Sequence, residues 1–324
     1  MPESEIPVPT YNAMTTRDNA DDPLIPTPVS SQIIQEMPTK SFMLARAGQV
    51  RMSTKTQRQP VLDVLPMAYW VSGDSGMKQT SSVDWKNVSL VAEELAVIIP
   101  IPEAYLDDAQ VPIWDEIRPR IVEAFGAKID AATLFGTDKP ASWPAAIYPS
   151  TVAAGNTVVA GTGVDLAQDV TLLGEKLALD GFSLNGFASR PGLKWRLAGM
   201  RDENNVPIFQ NNMHDGVSAG TLYGYPISEV ANGSWDASEA EMIAGDWTKA
   251  IIGMRQDITW KMFDQGVISD ADGKVILNLM QQDSVALRVT MRLAYATSNP
   301  VTTLNTNSVS RYPFGTLQAA TAGS

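Results

Sequence analysis

The sequence contains no cysteine and a single histidine among its 324 residues. The absence of cysteine excludes disulfides, thiolate metal sites and cysteine nucleophiles, and it fits synthesis in a reducing compartment. Nowhere does the chain hold the run of about 18 apolar residues that a membrane-spanning helix needs. Acids and prolines stand at the N-terminus where a secretory signal needs a basic start and an apolar run, so we expect no export by that route.

Positive charge is also scarce. The chain has 24 Lys and Arg against 36 Asp and Glu, a net charge of −12. Such a surface repels polyanions, and nucleic acid is therefore not expected as a specifically bound ligand. Apolar residues, in contrast, make up 44% of the sequence. That fraction is enough for a large buried core, and the length fits about two domains.

The first part of the chain has little regular pattern. Residues 1–28 carry several prolines and acids without apolar periodicity, which predicts an arm that needs a partner surface to become ordered. A short helix is predicted between Ser30 and Pro38. The polar tract 52–87 is too long for an ordinary hairpin loop.

Helical periodicity appears first over residues 112–135, the longest predicted helix. Asp107 or Asp108 is expected to cap its N-terminus, and Gly136 to end it. Pro119 lies inside the pattern, which predicts either a kink there or a helix that effectively begins there.

Two more helices are predicted in the second half. Asp165 and Gln168 resemble a capping box at the start of the first, which ends at Gly181. The second is expected to begin near Ser189, with Pro191 in its first turn.

Strand patterns fill the remaining apolar segments. Residues 95–101 are apolar at both odd and even positions, which predicts a strand covered on both faces. Alternation predicts further strands over 258–262, 275–279 and 285–295. Asp-Gly at 272–273 predicts a hairpin turn. The sequence thus indicates an α+β protein.

The hexapeptide GDSGMK, residues 73–78, is the one stretch that resembles an active site. Ser75 would need a base, and the only histidine is His214 in a polar loop. The protease-like pattern is broken by Met77 and Lys78, and Met77 also separates glycine from lysine where a phosphate-binding loop joins them. We therefore favour a polar loop, with a serine hydrolase using Ser75 and His214 as a remote alternative.

Neither metal nor cofactor binding is indicated. The stretch SDADGK resembles the opening of a calcium loop, but the position of the bidentate glutamate is occupied by Gln281. Arg46, Arg51, Lys55 and Arg58 form one local basic group. We interpret it as a solvated flank, with contact to an acidic neighbouring subunit as the less favoured alternative.

The order of several segments resembles the major capsid proteins of tailed bacteriophages, whose fold is shared with encapsulin shells. The resemblance runs from about residue 23 to 300. The segments are AYWVSGDSGMKQTSSVDWKNVSLVAEELAVIIPIPEAYLDDA, AKIDAATLFGTDKPASW, GFASRPGLKWRLAGMRDENNVPIFQ, GTLYGYPISEV, AGDWTKAIIGMRQDITWKM and DSVALRVTMRLAYATSNP.

The resemblance implies a fold with an extended arm, a long β-hairpin called the extended loop, a peripheral domain built on a spine helix, and an α/β axial domain. The implied divisions are the arm 1–28, a short helix and connector 29–51, the extended loop 52–87, the peripheral domain 88–150 and 255–299, and the axial domain and tail 151–254 and 300–324.

The same resemblance implies a structural subunit without catalytic activity. It would assemble with itself into pentamers and hexamers of an icosahedral capsid in the bacterial cytoplasm, and would enclose double-stranded DNA without binding it specifically. A separate scaffold and a portal would be its partners, with decoration proteins as optional additions. An encapsulin is the alternative, and the proline-rich arm argues against it.

The residues expected at subunit contacts lie around the extended loop. They are Trp70, Asp74, Lys78, Trp85, Arg46 and Arg51. Some family members are covalently cross-linked through a lysine of this loop, and Lys78 would hold that place. We favour an ordinary exposed lysine over a cross-linked one.

Overall fold

The computed structural model describes residues 41–68, 70, 77–78, 80–108, 112–199, 220–270 and 272–320. The predicted arm 1–28 and the predicted helix between Ser30 and Pro38 lie outside these residues. The helices within them are α1 Phe42–Arg46, α2 Glu103–Asp108, α3 Ile113–Leu134, α4 Ile147–Ala154, α5 Leu166–Leu179 and α6 Leu193–Ala198. The strands within them are β1 Gly48–Arg51, β2 Thr56–Val64, β3 Asp84–Val91, β4 Glu93–Pro102, β5 Thr157–Val159, β6 Gly186–Ser189, β7 Thr221–Leu222, β8 Tyr225–Glu229, β9 Ala240–Gly245, β10 Ala250–Phe263, β11 Val267–Ser269, β12 Val275–Asn278, β13 Ser284–Thr297 and β14 Phe314–Gln318.

A four-stranded sheet in the order β1-β10-β13-β4 carries the first core. β13 is antiparallel to both β10 and β4, whereas β1 joins β10 in parallel. The alternation in β13 puts Leu287, Val289 and Met291 into the same core as Phe125 and Ile129 of α3. The strand predicted over 285–295 is therefore confirmed.

The long helix α3 lies against this sheet and confirms the predicted helix over 112–135. It runs without interruption through Pro119 from Ile113, so it does not begin at the proline. The predicted caps are wrong, because Asp107 and Asp108 belong to the separate helix α2 and the N-cap residue of α3 has no side-chain cap.

The end of α3 is as predicted. Gly136 has a φ of 82° and its N–H donates to the carbonyl of Ala131. This left-handed position strongly favours glycine, which explains why the helix ends here.

A six-stranded sheet in the order β5-β14-β9-β6-β8-β7 carries a second core, covered by α5. Asp165 caps α5 by accepting the N–H of Gln168 at 2.7 Å, as predicted. The glutamine side chain accepts the N–H of Val164 instead of returning to the cap residue. Gly181, with a φ of 79°, follows the helix end as expected.

Two predictions for individual elements are wrong. Ser189 ends the buried strand β6, where it pairs with β8 and β9, so helix α6 begins only at Leu193. The strand over 95–101 is covered on one face in the single subunit. β4 is a sheet edge whose exposure alternates, and Ile98 is 48% exposed.

The predicted Asp-Gly turn joins β11 and β12. The Asp270 carboxylate accepts the N–H groups of Asp272 and Lys274, and Gly273 has a φ of 80°. Asp270 therefore orders a hairpin turn, as the sequence favoured over a calcium loop.

Candidate subunit-contact surfaces

Strands β2 and β3 form an antiparallel hairpin across the predicted extended loop. Its base is fixed because Val88 and Leu90 of β3 pack against the sheet face opposite α3. The other members of this small core are Val50, Met52, Ala92, Ile251, Ala294 and Ala296. Leu90 is fully buried, so the hairpin leaves the subunit from a solid attachment.

Farther from its base, the hairpin exposes large apolar side chains. Trp85, paired across the strands with Leu62, is 62% exposed. Trp70 is 101% exposed, and Met67 and Met77 are exposed with it. Several large apolar side chains exposed on one hairpin are typical of a protein contact surface.

The other predicted contact residues have different surroundings. Lys78 and Arg51 are exposed, whereas Arg46 donates from Nη2 to the Ser228 hydroxyl at 3.1 Å within its own subunit. Asp74 lies outside the described residues.

A second exposed apolar surface lies on the β11–β12 hairpin and the adjoining strand end. Its members are between 54% and 66% exposed, and they are Met262, Val267, Val275, Ile276 and Met280. We did not predict this surface. The signal was present in the sequence, since Val275, Ile276 and Leu277 put apolar side chains on both faces of a two-stranded ribbon.

A buried carboxylate, also missed by the sequence analysis, holds the start of helix α1 against α3. Asp130 of α3 is fully buried and accepts hydrogen bonds from the Ser41 hydroxyl at 2.6 Å, the Phe42 N–H at 2.8 Å, the Met43 N–H at 3.0 Å and the Asn232 amide at 2.6 Å. Burial raises the pKa of Asp130 above its ordinary value, against the opposing effect of these donors. An acidic residue next to Ile129 on an apolar helix face was its only sequence signal.

In the described part of the chain, a group of three or more His, Cys, Asp or Glu side chains arranged for a metal is absent. Among the same residues, no helix combines the length and apolarity needed to cross a membrane. Ser75 and His214 of the hydrolase alternative lie outside the described residues.

The model of the Phage capsid family matches residues 22–301. The chain belongs to the phage capsid family. It is 31% identical over 235 residues to the major capsid protein of Staphylococcus phage 80alpha. The aligned residues cover 71% of this chain and 68% of the relative. These matches confirm the predicted resemblance and the predicted role as a major capsid shell subunit, part of the virion.

Solved structures agree with this assignment. A structure from Microbacterium phage Oxtober96 has a TM-score of 0.81 at 38% identity, covering 91% of this chain and 96% of that one. One from Mycobacterium phage Adephagia has a TM-score of 0.82 at 34% identity, covering 93% and 97%. The predicted α+β capsid fold is thereby confirmed, and the encapsulin alternative is not favoured. The family is one of structural proteins.

Proposed function

We propose that this capsid subunit assembles into hexamers and pentamers of an icosahedral shell by laying its β2–β3 hairpin over the adjacent subunit. The observation that carries the proposal is the exposed Trp85 on a hairpin whose base is held by the fully buried Leu90. A side chain of this size gains most from burial, and a fixed base means that little of that gain is spent on ordering the hairpin.

The two sheets have different roles in this proposal. The four-stranded sheet with α3 serves as the peripheral domain and spine, and the six-stranded sheet as the axial domain near the centre of each ring. The segment 1–28 serves as an arm on a neighbour. Permanent assemblies bury roughly 2,000 Å² or more per interface, so the proposal includes contacts besides the hairpin. The β11–β12 surface is a further contact that supports the proposal.

Candidate contact residues differ in how well they fit this role. Trp70 and Trp85 supply apolar area, and Arg51 and Lys78 are exposed charges that favour orientation more than affinity. Arg46, which already binds Ser228, is the weakest candidate. Lys78 remains an ordinary exposed lysine in this proposal.

The acidic charge fits a container. A chain of net charge −12 does not hold double-stranded DNA by counterion release, so the genome is enclosed without specific binding. Assembly in the bacterial cytoplasm with a separate scaffold and a portal completes the proposal, with decoration proteins as possible additions.

Shortening the hairpin tests the proposal. Residues 65–83 are replaced by a short glycine-containing turn that joins β2 directly to β3, and Trp85 is changed to alanine in the same chain. Particles from expressing cells are viewed by electron microscopy. We expect soluble folded subunits without closed shells, because the contact is lost while the base core is intact. Closed shells from the shortened chain would contradict the hairpin role.

Ser75→Ala is the matched control within the same segment. We expect shells like those of the unchanged chain, and no ester hydrolysis by either protein. Hydrolysis that disappears on Ser75→Ala would favour the hydrolase alternative instead.

A further inference from the structure

The β2–β3 hairpin is held at a second point, away from its base. The N–H of Val301, in the segment between β13 and β14, donates to the carbonyl of Leu62 at 3.0 Å. Val301 is buried. Beyond this bond, a cleft of about 660 Å³ separates the outer ends of the hairpin from Thr303 and Thr306. The segment thus contacts strand β2 of the hairpin at a point beyond the base core around Leu90.

The segment 299–311 is ordered around a buried guanidinium. Arg311 is 1% exposed and donates from Nε to the Asn299 side-chain oxygen at 3.1 Å, from Nη1 to the Asn305 carbonyl at 3.0 Å and from Nη2 to the Asn299 carbonyl at 3.2 Å. The Asn299 amide in turn donates to the Arg311 carbonyl at 2.7 Å. The planar donor set of arginine holds both ends and the middle of the loop at once, which lysine cannot reproduce.

The same loop is anchored to the end of helix α5. Thr302 donates from its hydroxyl to the Asp180 carbonyl at 2.7 Å, and the Asn305 amide donates to the Asp180 carboxylate at 2.7 Å. Glycine is required at the next position, because a Cβ at Gly181 would lie 2.9 Å from the Thr302 Cβ. The loop therefore joins the hairpin to the unit built on the six-stranded sheet.

We propose that residues 299–311 form a latch that sets the angle at which the β2–β3 hairpin leaves the subunit, with Arg311 as its positioning residue. The hairpin base sits on the four-stranded sheet and the latch on the six-stranded one. The hairpin direction is thereby fixed relative to both. The consequence for shell geometry rests on the proposed hairpin contact, since the angle of the hairpin then determines where the neighbour sits.

Nearby charge supports this role. Burial lowers the pKa of Arg311, whereas Asp63, next to the bonded Leu62, and Asp180 favour its charged form. A charged group enclosed at this place is costly unless its donors are satisfied, so the loop carbonyls and the guanidinium hold each other in one arrangement. Loss of the guanidinium frees both the loop and the bonded hairpin strand.

Distance measurement by electron paramagnetic resonance tests the latch. The chain has no cysteine, so cysteines placed at the exposed Lys86 and Thr303 take spin labels at those sites alone. Labelled chains are diluted with unlabelled ones so that only distances within one chain are read. For Arg311→Met we expect the Lys86–Thr303 distance distribution to broaden and shift to longer distances. Protection of the Val301 N–H from hydrogen exchange should be lost.

Two controls keep the outcome decisive. Arg118→Met, the same change at an exposed arginine of α3, should leave the distances unchanged. If Arg311→Met does not fold, Thr302→Val decides. It removes only the hydroxyl that bonds the Asp180 carbonyl and the Asn305 backbone, and it should broaden the distribution in a folded protein. An unchanged distribution in a folded Arg311→Met or Thr302→Val chain would overturn the latch. Failure of the hairpin contact would instead appear as closed shells from the shortened hairpin, with these distances unaffected.

Discussion

Trp85→Ala separates the stability of the subunit from the stability of the shell. A tryptophan side chain buries roughly 200 Å², and 62% of Trp85 is exposed, so docking on a neighbour removes about 120 Å² from water. At about 25 cal/mol per Å² this burial contributes about 3 kcal/mol per contact. That free energy corresponds to roughly a hundredfold change in association. Within the free subunit, an exposed side chain contributes only about 0.5 kcal/mol.

The assay compares shell assembly with unfolding of the free subunit. We expect Trp85→Ala to raise the subunit concentration at which shells form, measured by light scattering, while the denaturant midpoint of the unassembled protein stays the same. Trp195→Ala is a matched control, because Trp195 is 81% exposed on α6, a helix that packs on the second core and not on the hairpin base. Unchanged assembly of Trp85→Ala, or an equal shift for Trp195→Ala, would refute the reasoning.

The remaining predictions concern buried groups. Leu90→Ala should cost about 2–5 kcal/mol by emptying a fully buried site at the hairpin base, seen as a lower urea midpoint and faster proteolysis of the hairpin. Asp130→Ala should cost about 3 kcal/mol or more, measured by urea unfolding, because its hydrogen-bond donors become unpaired in the core. Because the pKa of Asp130 is raised, the stability it contributes is complete below the ordinary aspartate pKa and decreases as pH rises through the raised value. The unfolding free energy of the unchanged protein minus that of Asp130→Asn should therefore fall over this window, and a difference that rises with pH would contradict the direction.

Local pattern was sufficient where one rule decided the structure. Alternating apolar residues predicted the strand β13, one face of which is covered. The glycine after α3 predicted the helix end, because it takes up a left-handed backbone conformation. The strand pairing of the hairpin was implied by the family resemblance, because the length and polarity of the tract 52–87 indicated only that it is not an ordinary hairpin loop. Capsid membership came from the order of segments, a signal that extends over the whole chain.

Long-range partners could not be predicted. Asp130 binds Ser41 and Asn232, which lie 89 and 102 residues away along the chain. Val301 meets Leu62 through backbone atoms, which no side-chain pattern records. The error at Ser189 has the same origin, because Ser189 ends the buried strand β6, which pairs with β8 and β9, although the local sequence favours a helix start. These features could not be predicted because the partners lie far apart in the sequence, and not because the local sequence signal is weak.

The edge strand β4 explains why side-chain surfaces carry the proposed contacts. An open sheet edge invites another strand to pair with it, which gives associations without a fixed register. β4 places Pro100 and Pro102 at this edge, and proline has no N–H to donate to a further strand. Pairing with a neighbour along this part of the edge is thus blocked. In the proposed assembly a neighbour contacts side-chain surfaces instead, among them the exposed face of β4 around Ile98, the hairpin and the β11–β12 surface. A shell that needs many identical contacts depends on this selectivity, because each subunit must meet its neighbours in a defined geometry.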